Sequence, residues 1–159
     1  MLRLARLFKR PRSIPTFATS IELGAFGEAQ AVAHLQQQGY AIVVTNYLAP
    51  LGRSHNGRQL TGEIDIVAYD ADGCLCFVEV KTRTNVRFAA PETAVDLRKQ
   101  RQIIKTGRVY RRLLQLFGEA YRYDVVTVVL QADAVEITLL KNYFTEQRFA
   151  QSRWFRQTS

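Results

Sequence analysis

The fold of this chain is decided by Gly62-Glu-Ile-Asp-Ile-Val-Ala-Tyr69 and, after Asp70-Ala-Asp-Gly73, by Leu75-Cys-Phe-Val-Glu-Val-Lys-Thr82. Both runs are rich in β-branched and aromatic residues, which favour strands. The linker is short and ends in glycine, which is typical of the turn of a β-hairpin. The sequence therefore predicts two paired strands, 63–69 and 75–82.

This hairpin carries charged side chains where a core-facing strand would carry apolar ones. Side chains alternate between the two faces of a strand. One face of the first strand is therefore expected to carry Glu63, Asp65 and Val67, and the opposite face Ile64, Ile66 and Ala68. Phe77, Glu79 and Lys81 share a face of the second strand. Pairing would bring Asp65 beside Glu79 on a sheet face that a helix covers. The alternative is an exposed polar face with a salt bridge at Lys81.

Upstream of the hairpin, Thr19-Ser-Ile-Glu22 is a capping-box pattern and predicts a helix that runs to about Gln38. Around Glu28, the positions at helical spacing are apolar: Ile21, Ala25, Val32 and Leu35. This spacing predicts a carboxylate in the middle of an apolar stripe, where it needs a cation, a metal or hydrogen-bond donors. The alternative is that Glu28 lies at the edge of the stripe and pairs with a basic side chain.

The other elements are, in order, a strand at Tyr40–Thr45, an exposed loop at Ala49–Leu60, a helix from Pro91 to about Phe117, and strands at 121–130 and 135–140. The order α-β-β-β-α-β-β predicts an α/β or α+β domain over residues 19–145, with a mixed central sheet flanked by helices. Residues 1–18 are expected to form a basic, flexible leader, and residues 146–159 a basic, aromatic tail.

The net charge is +8 with an isoelectric point near 9.9, and the basic excess is concentrated in two places. The leader holds five basic residues and no acid. A second acid-free cluster lies on the predicted second helix and comprises Arg98, Lys99, Arg101, Lys105, Arg108, Arg111 and Arg112. These clusters predict a polyanionic partner, nucleic acid. The alternative is a solvated helix face beside a flexible leader.

The two cysteines and the hydropathy pattern indicate the compartment. Cys74 and Cys76 are too close in sequence to bridge within an extended strand, and neither His34 nor His55 completes a zinc pattern. We interpret them as small buried residues, which favours a reducing cytosol. No apolar run approaches the length of a membrane span. A cytoplasmic protein without membrane contact is expected.

Two acids and a lysine on one sheet face suit phosphodiester hydrolysis. A bound Mg²⁺ neutralises phosphate charge and lowers the pKa of its water. It takes one or two carboxylates together with waters and phosphate oxygens. Asp65 and Glu79 fit as direct ligands, the Val80 carbonyl as a third, and Lys81 as a contact to the attacking water or the phosphate. Mn²⁺ is expected to substitute for Mg²⁺.

At these residues the chain resembles the YraN-type family of small bacterial proteins. The matching blocks are Gly24–Ala33, Gly39-Tyr40, Asn46-Tyr47, Gly62–Ile66, Phe77–Arg83, Pro91–Val95, Lys99-Gln100 and Tyr123–Val126. That family is similar to archaeal Holliday-junction resolvases and to the PD-(D/E)xK nuclease superfamily, which implies a restriction-endonuclease-like core. The resemblance implies metal binding and catalysis at Asp65 and Glu79-Val80-Lys81, with Glu28 as the helix-borne acid.

On the second helix, the resemblance implies phosphate contacts from Lys99 and Gln102, and the neighbouring Arg101 and Lys105 are further candidates. Junction-cutting relatives act as symmetric pairs, which makes a homodimer one expectation. The segment 49–59 is longer than the short turn usual in the family.

Three hypotheses follow. The leading one is a Mg²⁺-dependent endonuclease that acts on DNA, including branched or repair intermediates. The second is a catalytically inactive module that binds nucleic acid or a partner on the same fold. The third is a structural protein with an ion-paired core.

Overall fold

The computed structural model describes residues 16–84 and 95–149 and the backbone of residues 5–7. Its strands are β1 Ala5–Leu7, β2 Ala41–Arg53, β3 Gln59–Tyr69, β4 Leu75–Arg83, β5 Tyr121–Leu130 and β6 Val135–Phe144. Its helices are α1 Ser20–Gln37, α2 Leu97–Leu113 and a short 3₁₀ helix, Glu146–Phe149. From residue 20 to residue 144, the order of helices and strands is the predicted one; the 3₁₀ helix was not predicted.

The described strands form one sheet in the order β1-β6-β5-β4-β3-β2. Neighbouring strands are antiparallel, apart from β4 and β5, which pair in parallel because α2 carries the chain from one end of the sheet to the other. Helices flank this mixed sheet, as the sequence predicts. The predicted α/β fold class is confirmed, and the architecture agrees with a restriction-endonuclease-like core.

The β3–β4 hairpin is built as its sequence suggests. The strands pair from Tyr69↔Leu75 to Ile66↔Val78. In the linker, Asp70 Oδ1 accepts hydrogen bonds from the backbone N–H groups of Asp72 and Cys74, and Gly73 has a φ of 80°. Only glycine adopts that left-handed conformation without strain, which explains why the turn is placed there.

The two long helices cover opposite faces of the sheet. The cluster under α2 includes Ile103, Ile104 and Tyr110 with strand residues such as Phe77 and Val125. The cluster under α1 comprises Ala31, Leu35, Ile66, Ala68, Val78, Val80, Val126 and others. Burying each large apolar side chain contributes roughly 1.5–3 kcal/mol, so this two-sided core provides most of the stability.

The N-terminus of α1 matches the predicted capping box, but its buried stripe does not match the predicted one. Thr19 Oγ1 accepts a hydrogen bond from Glu22 N, and Glu22 Oε2 accepts one from Ala18 N. The buried residues of the helix are Gly27, Ala31, His34 and Leu35. Ile21 is 81% exposed. Glu28 therefore lies at the edge of the stripe, because the closest approach of the helix to the sheet is at Gly27.

Most of the predicted loop 49–60 is strand, which corrects the sequence prediction; only residues 54–58 form a turn. β2 continues to Arg53 and β3 begins at Gln59, with Ala49 paired to Gly62 and Pro50 to Thr61. The turn between them is held by the Ser54 N–H, which donates to the Arg58 carbonyl at 2.7 Å. A register shift after Pro50 accommodates the proline and glycine of this stretch. Strand pairing between the two segments therefore overrides their turn-like composition.

The predicted second helix is shorter at its C-terminal end than expected. Asp96 caps α2, with Oδ1 accepting from Lys99 N at 2.8 Å, and the helix ends at Leu113. Gln115 then adopts a φ of 57°, and the Leu116 N–H donates to the Arg111 carbonyl. This left-handed turn stops the helix before the predicted Phe117. The predicted start near Pro91 is too early as well: Val95 and Asp96 are not helical and the helix begins at Leu97, while Pro91 itself lies outside the described residues.

The termini are described in part. Within the leader, Ala5–Leu7 forms the short edge strand β1, which pairs with β6. Residues 16–18 of the leader are also described, whereas residues 1–4 and 8–15 lie outside the described part, as do residues 150–159 of the tail. In the described residues, no helix combines the length and the apolar character needed to cross a bilayer.

Candidate functional site

Asp65 lies where β3 and β4 stop pairing. Their ladder ends at Ile66↔Val78, and beyond it Asp65 Oδ2 accepts the Val80 N–H at 2.7 Å. The carboxylate thus accepts the hydrogen bond that a backbone carbonyl of β3 would accept if the two strands were still paired. Alternation breaks at the same point, because Ile64 packs in the cluster under α2 whereas Ile66 packs under α1. The predicted placement of Ile64 with Ile66 and Ala68 on one face is therefore wrong.

Glu79 is the most deeply buried acid of the predicted set, with 2% of its surface exposed. Two ammonium groups approach its carboxylate. Lys81 Nζ lies 2.8 Å from Oε1, and Lys99 Nζ lies 3.2 Å from Oε2. The structure thus brings Lys81 beside Glu79, and it adds Lys99 from the first turn of α2.

Glu28 is brought to this site by the glycine that precedes it. A Cβ atom at Gly27 would lie 1.7 Å from Thr82 Oγ1, so only glycine allows α1 to approach β4 this closely. The half-buried Glu28 carboxylate is near enough to contribute to the raised pKa of Asp65. Glu28, Asp65, Glu79 and Lys81 therefore lie in one region, which we call the acid–lysine site together with Lys99.

The pKa of Asp65 is raised to about 7. Burial is the largest cause, followed by the negative charge of Glu79, and Glu28 adds to it. The hydrogen bond from Val80 and the positive charge of Lys99 act in the opposite direction. Buried neighbouring carboxylates repel one another, so near neutral pH the site gains from either a proton or an added cation.

The chemistry of the donor set fits a divalent cation that prefers oxygen. Two carboxylates lie together, and Glu79 Oε2 is buried and accepts no hydrogen bond from the described residues, although the Lys99 ammonium faces it. Mg²⁺ and Mn²⁺ bind such oxygens, and Mg²⁺ usually keeps waters on its other positions. Asp65 and Glu79 would hold the ion. A third ligand from the Val80 carbonyl stays a prediction.

The basic and polar residues predicted to contact phosphate lie along α2 but have different surroundings. Lys99 pairs with Glu79, whereas Gln102 Nε2 donates to the Thr61 carbonyl at 3.0 Å and ties α2 to β3. The Arg101 guanidinium lies 5.1 Å from the centre of the Phe149 ring. Burial, and then the charge of Arg108, lower the pKa of Lys105. These residues remain candidates for nucleic-acid contact.

A second polar network, which the sequence reasoning missed, lies at the other end of the central strands. Arg122 bonds to both oxygens of the fully buried Asp124, to Asp70 Oδ2 and to the Tyr40 hydroxyl. Asn142 N also donates to Asp124 Oδ1 at 2.7 Å. An aspartate in the apolar run 121–130 was the signal that could have revealed it. The network lies at the point where the pairing of β5 with β6 shifts in register.

Part of this network could be taken for a metal site. One potential ligand atom each from Asp70, Cys74 and Cys76 lies within 4.8 Å of the others. Asp70 is already held by Arg122 and two backbone N–H groups, and burial raises the pKa of the Cys76 thiol. Thiolates suit soft metals and do not suit Mg²⁺. Both cysteines are free; Cys76 is buried as expected, whereas Cys74 is only half-buried.

The sheet order, the two covering helices and the acid–lysine site define the class of protein: an α/β protein of restriction-endonuclease-like architecture. A profile described as "Uncharacterised protein family UPF0102" matches residues 27–128. The chain belongs to this family, which is the YraN-type family that its sequence resembles.

Individual relatives extend the match over most of their own length. The UPF0102 protein of Solibacter usitatus is 41% identical over 109 residues, which are 69% of this chain and 76% of that protein. The UPF0102 protein of Trichlorobacter lovleyi is 39% identical over 117 residues, 74% of this chain and 84% of that protein. The UPF0102 protein of Lachnoclostridium phytofermentans is 40% identical over 122 residues, 76% and 91% respectively.

Proposed function

We propose that this protein is a metal-dependent endonuclease that hydrolyses phosphodiester bonds in DNA. One observation carries the proposal: Asp65 and Glu79 share a buried site with two lysine ammonium groups, and the pKa of Asp65 is raised to about 7. Holding ionised acids together in the interior costs several kcal/mol unless cations compensate the charge. A divalent cation offsets that cost when it binds.

Each residue of the site has a task in this reaction. Asp65 and Glu79 would hold Mg²⁺ or Mn²⁺, which supplies Lewis acidity and a more acidic water when bound. The Val80 N–H orients the Asp65 carboxylate at 2.7 Å. Lys81 presents its ammonium beside Glu79, where it can stabilise negative charge on a phosphate or orient the attacking water. Glu28 adds a third acid at the edge of the site.

The basic surface supports a nucleic-acid substrate. The net charge is +8, and α2 carries Arg98 and Arg112 on its exposed side. Because Lys99 on the same helix reaches Glu79, a backbone lying along α2 would pass the site. Phosphate binding of this kind weakens steeply with added salt. Branched or repair intermediates are the substrates we favour, and a homodimer would present two such sites to one junction.

A second candidate function is a catalytically inactive module that binds nucleic acid. It is favoured by one observation: both Glu79 oxygens already face an ammonium group, so the buried charge is balanced without a metal. The two functions share the fold and the basic surface. They differ in whether a divalent cation makes the protein cleave the nucleic acid that it binds.

The deciding experiment uses single-stranded, duplex, flap and four-way DNA with Mg²⁺, Mn²⁺ or EDTA. We expect cleavage of at least one form with a metal, and its loss in Asp65→Asn and Lys81→Met with DNA binding in EDTA retained. Lys141→Met is the matched control, because this exposed lysine on β6 lies outside the site. Folded wild-type protein that binds DNA but cuts no form with either metal would support the inactive module instead.

A further inference from the structure

The two ammonium groups on Glu79 are not equivalent. Lys81 Nζ is 2.8 Å from Oε1, whereas Lys99 Nζ is 3.2 Å from Oε2, an atom that accepts no hydrogen bond from the described residues. The side chains of Lys81 and Lys99 are 34% and 26% exposed, so solvent reaches both and exposure does not separate them. The longer distance and the missing hydrogen bond make Lys99 the more weakly held of the two cations.

The position of Lys99 on its helix weakens its hold further. It lies in the first turn of α2, two residues after the helix begins at Leu97. The N-terminus of a helix carries a partial positive charge, which disfavours an ammonium group at that place. Asp96 accepts the backbone N–H of Lys99 at 2.8 Å and offsets part of this effect. An ammonium in this position gains from an anionic partner, whether a carboxylate or a phosphate.

Charge balance shows what a metal would change. Glu79 with Lys81 and Lys99 sums to one positive charge, and Asp65 and Glu28, when both are ionised, bring the site to one negative charge. An added divalent cation would make it positive by one, and a phosphate group would then restore neutrality. Since the metal and Lys99 compete for the same Glu79 oxygen, both gain if the ammonium turns toward that phosphate.

We propose that Lys99 is a placeholder cation: it occupies Glu79 Oε2 in the metal-free protein and is transferred to a substrate phosphate when a divalent cation binds. This inference rests on the proposed function, because it requires metal binding at Asp65 and Glu79. It assigns Lys99 two successive partners and makes metal binding and nucleic-acid binding mutually dependent. Lys99 is a positioning residue in the first state and a substrate contact in the second.

The first test measures Mn²⁺ affinity by titration calorimetry. Lys99→Gln should bind Mn²⁺ roughly three- to fivefold more tightly than wild type, because a competing cation is removed. Arg98→Gln is the matched control, since it removes the same charge from an exposed neighbour, and its affinity should stay nearly unchanged. Lys99→Arg keeps the cation and should bind Mn²⁺ as wild type does.

The second test measures DNA binding in EDTA and in Ca²⁺, with a duplex as the probe. Lys99→Gln should weaken binding roughly threefold in Ca²⁺ and hardly at all in EDTA, where Lys99 is engaged by Glu79. Arg98→Gln should weaken binding equally in both conditions. Equal losses for Lys99→Gln in the two conditions would overturn the proposal.

A third measurement needs no variant that removes the charge. The ammonium resonances of wild-type protein can be followed by ¹⁵N NMR during Mg²⁺ titration, with Lys99→Arg for assignment. The Lys99 signal should shift while that of Lys141 stays in place. If wild type binds no divalent cation, the proposed function and this inference both fail. If it binds one and neither the Lys99 signal nor the Lys99→Gln affinity changes, only this inference fails.

Discussion

Asparagine in place of Asp65 should stabilise the protein above neutral pH while removing one ligand of the proposed metal site. Burial and the charge of Glu79 raise the pKa of Asp65 from 3.8 to about 7 in the folded protein. Between about pH 4 and pH 7 the folded state therefore binds more protons than the unfolded chain. The free energy of unfolding falls as the pH rises through this interval and levels off above it. Asp65→Asn removes this pH-dependent loss of stability, because asparagine does not ionise, and it keeps an oxygen that accepts the Val80 N–H.

The size of the expected change in the free energy of unfolding follows from the pKa shift of Asp65. From 3.8 to about 7 is roughly three units, and each unit corresponds to about 1.4 kcal/mol, so ionising Asp65 in the folded state costs up to about 4 kcal/mol. The neutral amide is a weaker acceptor for Val80 than a carboxylate, which reduces the gain. We expect Asp65→Asn to exceed wild type by roughly 2–4 kcal/mol at about pH 8, and by less than about 1 kcal/mol at about pH 4.5.

The assay is urea denaturation followed by far-ultraviolet circular dichroism, at both pH values and with EDTA present. Asp133→Asn is the control, since Asp133 is exposed between β5 and β6, and its difference from wild type should be small and independent of pH. The reasoning is refuted if Asp65→Asn is no more stable than wild type at the higher pH, or if the gap does not widen as the pH rises.

Three further predictions concern stability and are measured by the same denaturation. Gly27→Ala should lower the free energy of unfolding by about 1–3 kcal/mol because the added Cβ meets Thr82. Gly24→Ala, whose Cβ meets no described atom within 4 Å, should raise it by about 0.5–1 kcal/mol. Equal effects of the two variants would contradict the close approach of α1 to β4. Asp124→Ala should cost roughly 3 kcal/mol, since the Arg122 guanidinium and the Asn142 N–H lose a buried acceptor, although Asp70 still pairs with Arg122; a neutral result would mean that the network does not hold the strands. Glu146→Gln, which loses two arginine partners, should cost about 1 kcal/mol at low salt and less in about 1 M salt; a salt-independent loss would point to packing instead.

The sequence by itself determined those features that depend on residues close together in the chain. The Thr19–Glu22 cap, the strands of the β3–β4 hairpin and the glycine of its turn follow from local preferences that no distant contact overrode. The acids and the lysine of the site were visible for the same reason: charged residues in otherwise apolar strands conflict with the pattern around them, and Asp65 and Glu79 were identified by that conflict.

Only the tertiary structure decided the features that depend on which segments meet. Residues 49–60 have the composition of a loop, yet pairing between β2 and β3 satisfies the backbone groups of 49–53 and 59–60 and makes them strand, so that only 54–58 form a turn. The buried side of α1 is selected by the approach at Gly27, which leaves Ile21 exposed and Glu28 at the edge. Lys99 reaches Glu79 because α2 crosses from β4 to β5. Such contacts join residues far apart in the chain, and their energies do not appear in any local pattern.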